Sequence, residues 1–259
     1  MPSRSFLLTL CAALVVGYLG LNLLVRWIYP KQLFPYRGSS YQESEAISTV
    51  RLDDGTEIAF YYLAADDPDA PLLFYFHGNG EDIGHNEERF AWIRSAGYSV
   101  LALDYPGYGL STGKPTAESV RAATDAVWKY AQNELGAQAA STVLWGRSLG
   151  GSPAIYLAAQ ENFRGVLLES AFRSVLSLAP PIPWLFSEPF PNETLIKQVS
   201  APVALFHGEL DRVIPVSHSK TLKESAGGET ELFLFPEGTH NNLRHVGGEE
   251  MLSVLQRLR

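Results

Sequence analysis

Apolar and polar positions along this chain of 259 residues fall into three kinds of run. The first is unbroken. Phe6 to Val25 holds twenty residues without a charge. As a helix rising 1.5 Å per residue, that length just spans a hydrocarbon core of about 30 Å. Arg4 precedes the run, Arg26 follows it, and Trp27 and Tyr29 stand where interfacial aromatics belong. The run is longer than the apolar region of a signal peptide, and no small-x-small cleavage site follows it. It predicts an uncleaved, single-pass membrane anchor over residues 1–28. The second kind is short. AISTVRL and EIAFYYLA alternate around Asp53-Asp54-Gly55, which is a hairpin signal. PLLFYF, YSVLALD, STVLW, GVLLE, APVALFHG and ETELFLF are compact apolar runs that read as buried strands. The third kind has helical spacing. It covers Gly84–Ser95, Thr116–Leu135 with Thr116 as N-cap, Ser152–Gln160, Val216–Ala226 and Gly248–Arg259. Strands alternating with helices after an opening hairpin predict an α/β fold, with a mostly parallel sheet covered on both faces. Residues 29–44 hold two prolines, Gly38 and three serines, and read as a linker to a catalytic domain over 45–259.

Composition narrows the function. Hydrophobic residues are 46% and charged residues 19%, a globular balance. The net charge of −8 repels phosphate backbones, so nucleic acid is not an expected partner. Cys11 is the one cysteine, and in an apolar run it reads as a small hydrophobe.

The chemistry starts at Gly146-Arg147-Ser148-Leu149-Gly150, a Gly-x-Ser-x-Gly between a predicted strand and a predicted helix. A sharp turn there holds the serine in a strained conformation, and small neighbours let strand and helix approach. A serine nucleophile needs a base in hydrogen-bond reach, and the base needs an orienting acid. In a parallel sheet both belong in loops after later strands. Asp211 follows APVALFHGEL and His240 follows ETELFLFPEGT, giving the order Ser148, Asp211, His240. Glu169 and Asp104 also end strands. Glu169 lies one strand too early for the acid, and Asp104 reads as a turn-stabilising side chain. His207, His218 and His245 read as structural, and no metal site or cofactor is expected. A tetrahedral oxyanion needs two preorganised donors. The N–H of Leu149 and that of Asn79, in the His77-Gly78-Asn79-Gly80 loop, are the candidates. Arg147 reads as a solvent-facing side chain or a binder of an acidic head group. Between GVLLE and the Asp211 strand lie about thirty residues, 170–199, too few for a cap domain. This short lid insert is rich in proline, and its Trp184 and Phe186 are candidate walls of an apolar substrate groove.

HGNG, DYPGYGLSTGKP, GRSLGG, HGELDRVIP and FPEGTHNN together resemble the alpha/beta-hydrolase superfamily. They are most similar to its membrane-anchored group, which includes animal acyl-protein depalmitoylases and bacterial single-span hydrolases. The resemblance covers roughly Ser44 to Arg259. It implies the alpha/beta-hydrolase fold, the triad at Ser148, Asp211 and His240, and a small-molecule or acylated substrate. The chain departs from relatives at Gly80-Glu81-Asp82, where they often carry Ala-Gly-Asn, and at Pro106. The expected activity is hydrolysis of carboxylic esters or thioesters. A serine peptidase, or a catalytically silent binding module on the same fold, are the alternatives.

Overall fold

The computed structural model describes residues 3–35, 38–178 and 188–259, with backbone only over 25–31. In chain order it contains α1 (Arg4–Leu33), β1 (Ile47–Arg51), β2 (Glu57–Leu63), β3 (Leu72–Phe76), α2 (Glu87–Ser95), β4 (Ser99–Leu103) and α3 (Ala117–Glu134). Then follow β5 (Thr142–Arg147), α4 (Gly151–Ala158), β6 (Gly165–Glu169), α5 (Asn192–Leu195), β7 (Val203–Gly208), α6 (Ser217–Ser225), β8 (Thr230–Phe235) and α7 (Leu243–Leu258). The strands form one eight-stranded sheet in the order β1-β2-β4-β3-β5-β6-β7-β8. β1 and β2 form the expected antiparallel hairpin, β2 is antiparallel to β4, and every later pairing is parallel.

Side chains alternate between two cores because strand side chains point to opposite faces. Leu72, Phe74 and Phe76 of β3 join the core under α3 and α4, whereas Leu73 and Tyr75 join the one under α2 and α7. The α3 face is set by helical spacing: Val120, Ala123, Thr124, Val127, Trp128 and Ala131 are buried. Its N-terminus is closed by a reciprocal pair. The Ser119 N–H donates to Thr116 Oγ1 at 3.0 Å, and the Thr116 N–H donates to Ser119 Oγ at 2.9 Å.

Two helices differ from the sequence reading. Gly84–Asn86 forms a 3-10 turn ahead of α2. The closing helix starts at Leu243, and Gly247 kinks it just before the expected start. The larger difference concerns residues 29–44. The helix runs on to Leu33, so it overruns the expected end of the anchor at residue 28. Leu33 and Phe34 are buried in the α3-side core, with Phe34 edge-on to Phe190. Ser40 donates to Asp82 through its N–H and hydroxyl, and Tyr41 Oη donates to Asp104. The segment is thus no free tether. Apolar residues placed beside an apolar cleft gain more from burial than from solvation, whatever the prolines around them.

Candidate active site

The site sits at the carboxyl ends of β5, β7 and β8. Ser148 has φ of 51°, the left-handed region, and is followed at once by the turn that opens α4. Glycines make this geometry possible. A Cβ on Gly146 would stand 2.3 Å from the Gly150 carbonyl oxygen, and one on Gly150 would stand 2.0 Å from that of Phe76. No residue with a side chain fits at either position. The second contact also presses the loop after β3 against the serine turn.

Three side chains meet in line. His240 Nδ1 donates to Asp211 Oδ2 at 2.8 Å, and Ser148 Oγ donates to His240 Nε2 at 3.0 Å. Asp211 is held from its other oxygen, where Oδ1 accepts from the N–H of Val213 at 2.8 Å and of Ile214 at 2.9 Å. Burial alone would raise the Asp211 carboxyl. The hydrogen bonds from His240, Ile214 and Val213, with the charge of the imidazole, outweigh it and hold the group below its ordinary value. Asp211 therefore stays a carboxylate and fixes the imidazole tautomer. Such a line can take the proton from Oγ as the oxygen attacks a carbonyl.

His207 lies behind the acid. Its Nε2 donates to the Ile214 carbonyl at 2.9 Å, and its Nδ1 accepts from Ser219 Oγ at 2.6 Å. Burial lowers its affinity for a proton. It pins the loop that carries Asp211 and touches neither Ser148 nor His240. His218 is also buried, and its Nδ1 accepts from the Arg173 N–H at 3.2 Å. Both hold neighbouring backbone or side chains by hydrogen bonds.

Asn79 and Leu149 line the same cleft as Ser148. The loop that carries Asn79 is tied down from the DYPGYG segment. Tyr105 Oη donates to the His77 carbonyl at 2.7 Å, and Tyr108 Oη donates to the Asn79 carbonyl at 3.1 Å. Asp104 anchors that segment in turn. It accepts from Tyr41 Oη and, at 2.9 Å, from the Ile83 N–H. Burial and the Asp104 charge push the Tyr41 phenol far up, so it remains a donor.

Arg147 is not solvent-facing: it is only 7% exposed. Its guanidinium pairs with Glu81 and donates to the His240 carbonyl at 3.2 Å and to Asn241 Oδ1 at 2.7 Å. Its Nε stands 3.5 Å from Glu169. The parallel register explains the last contact, because Arg147 and Glu169 are Cα partners at the ends of β5 and β6. Glu169 is in turn gripped by Arg89 at 2.6 and 3.2 Å. Burial alone would raise its carboxyl, but the Arg89 and Arg147 charges hold it below its ordinary value. The rival acid is thus occupied. The departure at 80–82 also finds its place: Glu81 pairs with Arg147, and Asp82 accepts from Ser40 and His85. The sequence signal for this network was an arginine and a glutamate each ending adjacent buried strands.

The cleft measures about 420 Å³ and is mainly apolar. Leu33, Phe172, Val175, Leu178, Val213 and Ile214 line it beside Ser148. Phe190 is buried as core. Trp184 and Phe186, the expected groove walls, lie outside the described residues. Leu33 was missed as a lining residue because it was assigned to the linker.

Comparison with known proteins agrees with this architecture. Residues 72–227 match the model of the Alpha/beta hydrolase family. The chain is 29% identical over 214 residues to human alpha/beta hydrolase domain-containing protein 17B, across 80% of this chain and 74% of that protein. Its fold is similar to that of an esterase of Pyrococcus furiosus, with a TM-score of 0.67 at 18% identity over 88% of this chain and 93% of that one. It is likewise similar to the monoacylglycerol lipase of Paleococcus ferrophilus, with a TM-score of 0.62 at 21% identity over 78% of this chain and 98% of that one. With the family match extending over more than half of its length, the chain belongs to the alpha/beta hydrolase family.

Proposed function

We propose that the chain is a membrane-anchored serine hydrolase that cleaves acyl esters or thioesters. The observation that carries this reading is the line Asp211–His240–Ser148, with links of 2.8 and 3.0 Å opening on an apolar cleft. In the proposed reaction Ser148 Oγ attacks the acyl carbonyl carbon while its proton passes to His240 Nε2. The carbonyl oxygen takes the negative charge and is met by the N–H groups of Leu149 and Asn79. Collapse of this intermediate expels the alkoxide or thiolate, which leaves with the proton from His240. Water then enters, loses a proton to His240, and attacks the acyl-enzyme, restoring the Ser148 hydroxyl and releasing the carboxylic acid. No step calls for a metal or a cofactor. The apolar lining favours an acyl group, since each buried CH₂ contributes about 0.8 kcal/mol.

For the anchor, the support is α1 itself. Its first 21 residues, Arg4–Leu24, are long and apolar enough to cross a membrane, and almost none of that stretch is buried. The catalytic unit is read as 45–259, with the end of α1 and residues 38–41 packed against it. The test is fluorophosphonate labelling of the full chain in detergent. Wild type should label and Ser148→Ala should not. Labelling retained in Ser148→Ala would overturn the assignment.

A further inference from the structure

The distribution of exposed apolar side chains is uneven. Among the described residues, the large exposed hydrophobics fall into two groups only. Eleven lie on α1 between Phe6 and Leu24, and the other three are Leu178, Leu210 and Val213, at 41%, 56% and 60% exposure. Those three do not scatter over the catalytic unit. Leu178 and Val213 line the Ser148 cleft, and Leu210 immediately precedes Asp211. The end of α1 is at the same place, because Gln32 and Leu33 form another wall of that cleft. Lone surface hydrophobics are ordinary, but a rim of them around a functional opening marks an interaction site.

We propose that this rim rests on the bilayer entered by α1, so that the acyl substrate reaches Ser148 from the lipid leaflet and not from bulk water. The proposal rests on the reading of α1 as a membrane anchor and of the site as an acyl hydrolase. Helix length sets the height of the opening. From Val25, the last residue of the uncharged run, to Leu33 is eight residues, or about 12 Å of helix. A headgroup layer adds roughly 5–7 Å to the hydrocarbon on each side. The helix thus holds the cleft mouth at or just above the headgroups. Arg212 lies between Leu210 and Val213 in the same loop, exposed and without an ion pair among the described residues. A cation among apolar side chains suits a headgroup surface, where the stem lies against apolar matter and the charge stays wet. A rim meant for water would have no use for Leu210 and Val213 on either side of it.

The first test reads depth without using activity. Leu210→Cys in a Cys11→Ser background is labelled with bimane, and the full chain is reconstituted in phosphatidylcholine vesicles. Phosphatidylcholine carrying a doxyl group near its headgroup should quench the label at least twofold more than a label on Glu134→Cys. Glu134 is exposed at the end of α3, on the opposite edge of the sheet. Equal quenching at the two positions overturns the proposal. The second test reads access. Leu210→Glu should keep kcat/KM for dissolved p-nitrophenyl butyrate within twofold, yet lose tenfold or more on a palmitoyl ester held in the vesicles. Equal loss on both substrates, or loss on neither, overturns the proposal. Failure of the underlying readings shows elsewhere: as release of the wild-type chain from vesicles at alkaline pH, or as Ser148→Ala turning over butyrate like wild type.

Discussion

Ser148 stands between two walls built on opposite principles, an ion-pair network around the ends of β5 and β6 and the apolar lining of the cleft itself. One wall is polar and over-determined. Arg147 alone ties Glu81, Asn241, the His240 carbonyl and Glu169 together, and Arg89 closes the network from behind. The other wall is apolar and loosely specified, made of Leu33, Phe172, Val175, Leu178, Val213 and Ile214. Its members come from separate stretches of chain and share no polar contact with the triad beyond the Ile214 and Val213 N–H groups on Asp211. The difference teaches where each kind of energy is useful. Charges in a buried network are costly when unpaired, so they hold one arrangement and no other. Apolar contacts are nondirectional, so they accept a chain of varying length while giving affinity in proportion to area. Geometry is set by the first wall and capacity by the second.

Substitutions can separate the two walls. Ser148→Ala leaves both intact and removes the proposed nucleophile. Turnover of any acyl ester should fall on the order of 10⁶-fold, with an unchanged thermal midpoint, and an ester-hydrolysis assay and a thermal melt of the purified variant check the two. Arg147→Met breaks the polar wall only. It removes the ion pair to Glu81 and the bonds to the His240 carbonyl and Asn241, and displacing a catalytic group by about 1 Å can cost ~10²-fold. We expect kcat to fall by about that factor for short and long esters alike, with KM little changed. A rise in KM confined to long esters would place Arg147 in substrate binding instead. Leu33→Ala trims the apolar wall. The expected outcome is a KM raised several-fold for palmitoyl esters and unchanged for acetyl esters, since each methylene of the acyl chain left in water costs about 0.8 kcal/mol. Removing residues 1–38 altogether should do the same and more, because Leu33 and Phe34 leave with the helix. A truncated chain that matched the full chain on long esters would show that α1 is no part of the groove.

A separate effect is on the pH dependence of stability. His218 supports the apolar wall through the Arg173 N–H, next to Phe172. Burial, helped by the Arg173 charge, lowers its pKa from 6.5 to about 4. A histidine depressed in the folded state binds its proton first in the unfolded chain. Stability is therefore fully present above pH 6.5 and falls as pH drops from there toward 4. The whole difference corresponds to about 3 kcal/mol at most. Urea unfolding at pH 7 and pH 5 should show the loss, and His218→Gln should flatten it.

The same contrast explains what could be read from the chain before its structure. Polar chemistry was legible because it is punctual. Gly146, Ser148 and Gly150 are required at fixed spacing by one turn, and Asp211 and His240 must follow consecutive strands. The sheet was legible because period two and compact apolar runs leave few alternatives. Arg147 was misread because a single arginine carries no sign of its burial. Its environment is set by Glu81, Glu169 and Asn241, which meet it only across loops and strands. Leu33 and Phe34 were hidden in a stretch whose prolines and serines argued for a linker. Nothing local reveals that two apolar residues there find a cleft far along the chain.

Helix α7 carries a consequence in the order of synthesis. Its Met251, Val254 and Leu255 pack with Phe90, Ile93 and Tyr98, and Tyr98 precedes Leu255 by 157 positions. Tyr98 Oη donates to the Leu255 carbonyl at 2.7 Å, and Arg164 reaches the Leu258 and Arg259 carbonyls. During translation one face of the growing sheet therefore waits, uncovered, for the sixteen residues of α7. Exposed apolar surface on an unfinished chain invites wrong partners. An α1 that is made ahead of the strands and enters a bilayer would keep that waiting sheet tethered apart from its neighbours. The proposed acid and base, Asp211 and His240, also follow Ser148 in the chain, so on that reading the growing chain carries a serine with nothing to activate it until β7 and β8 are in place.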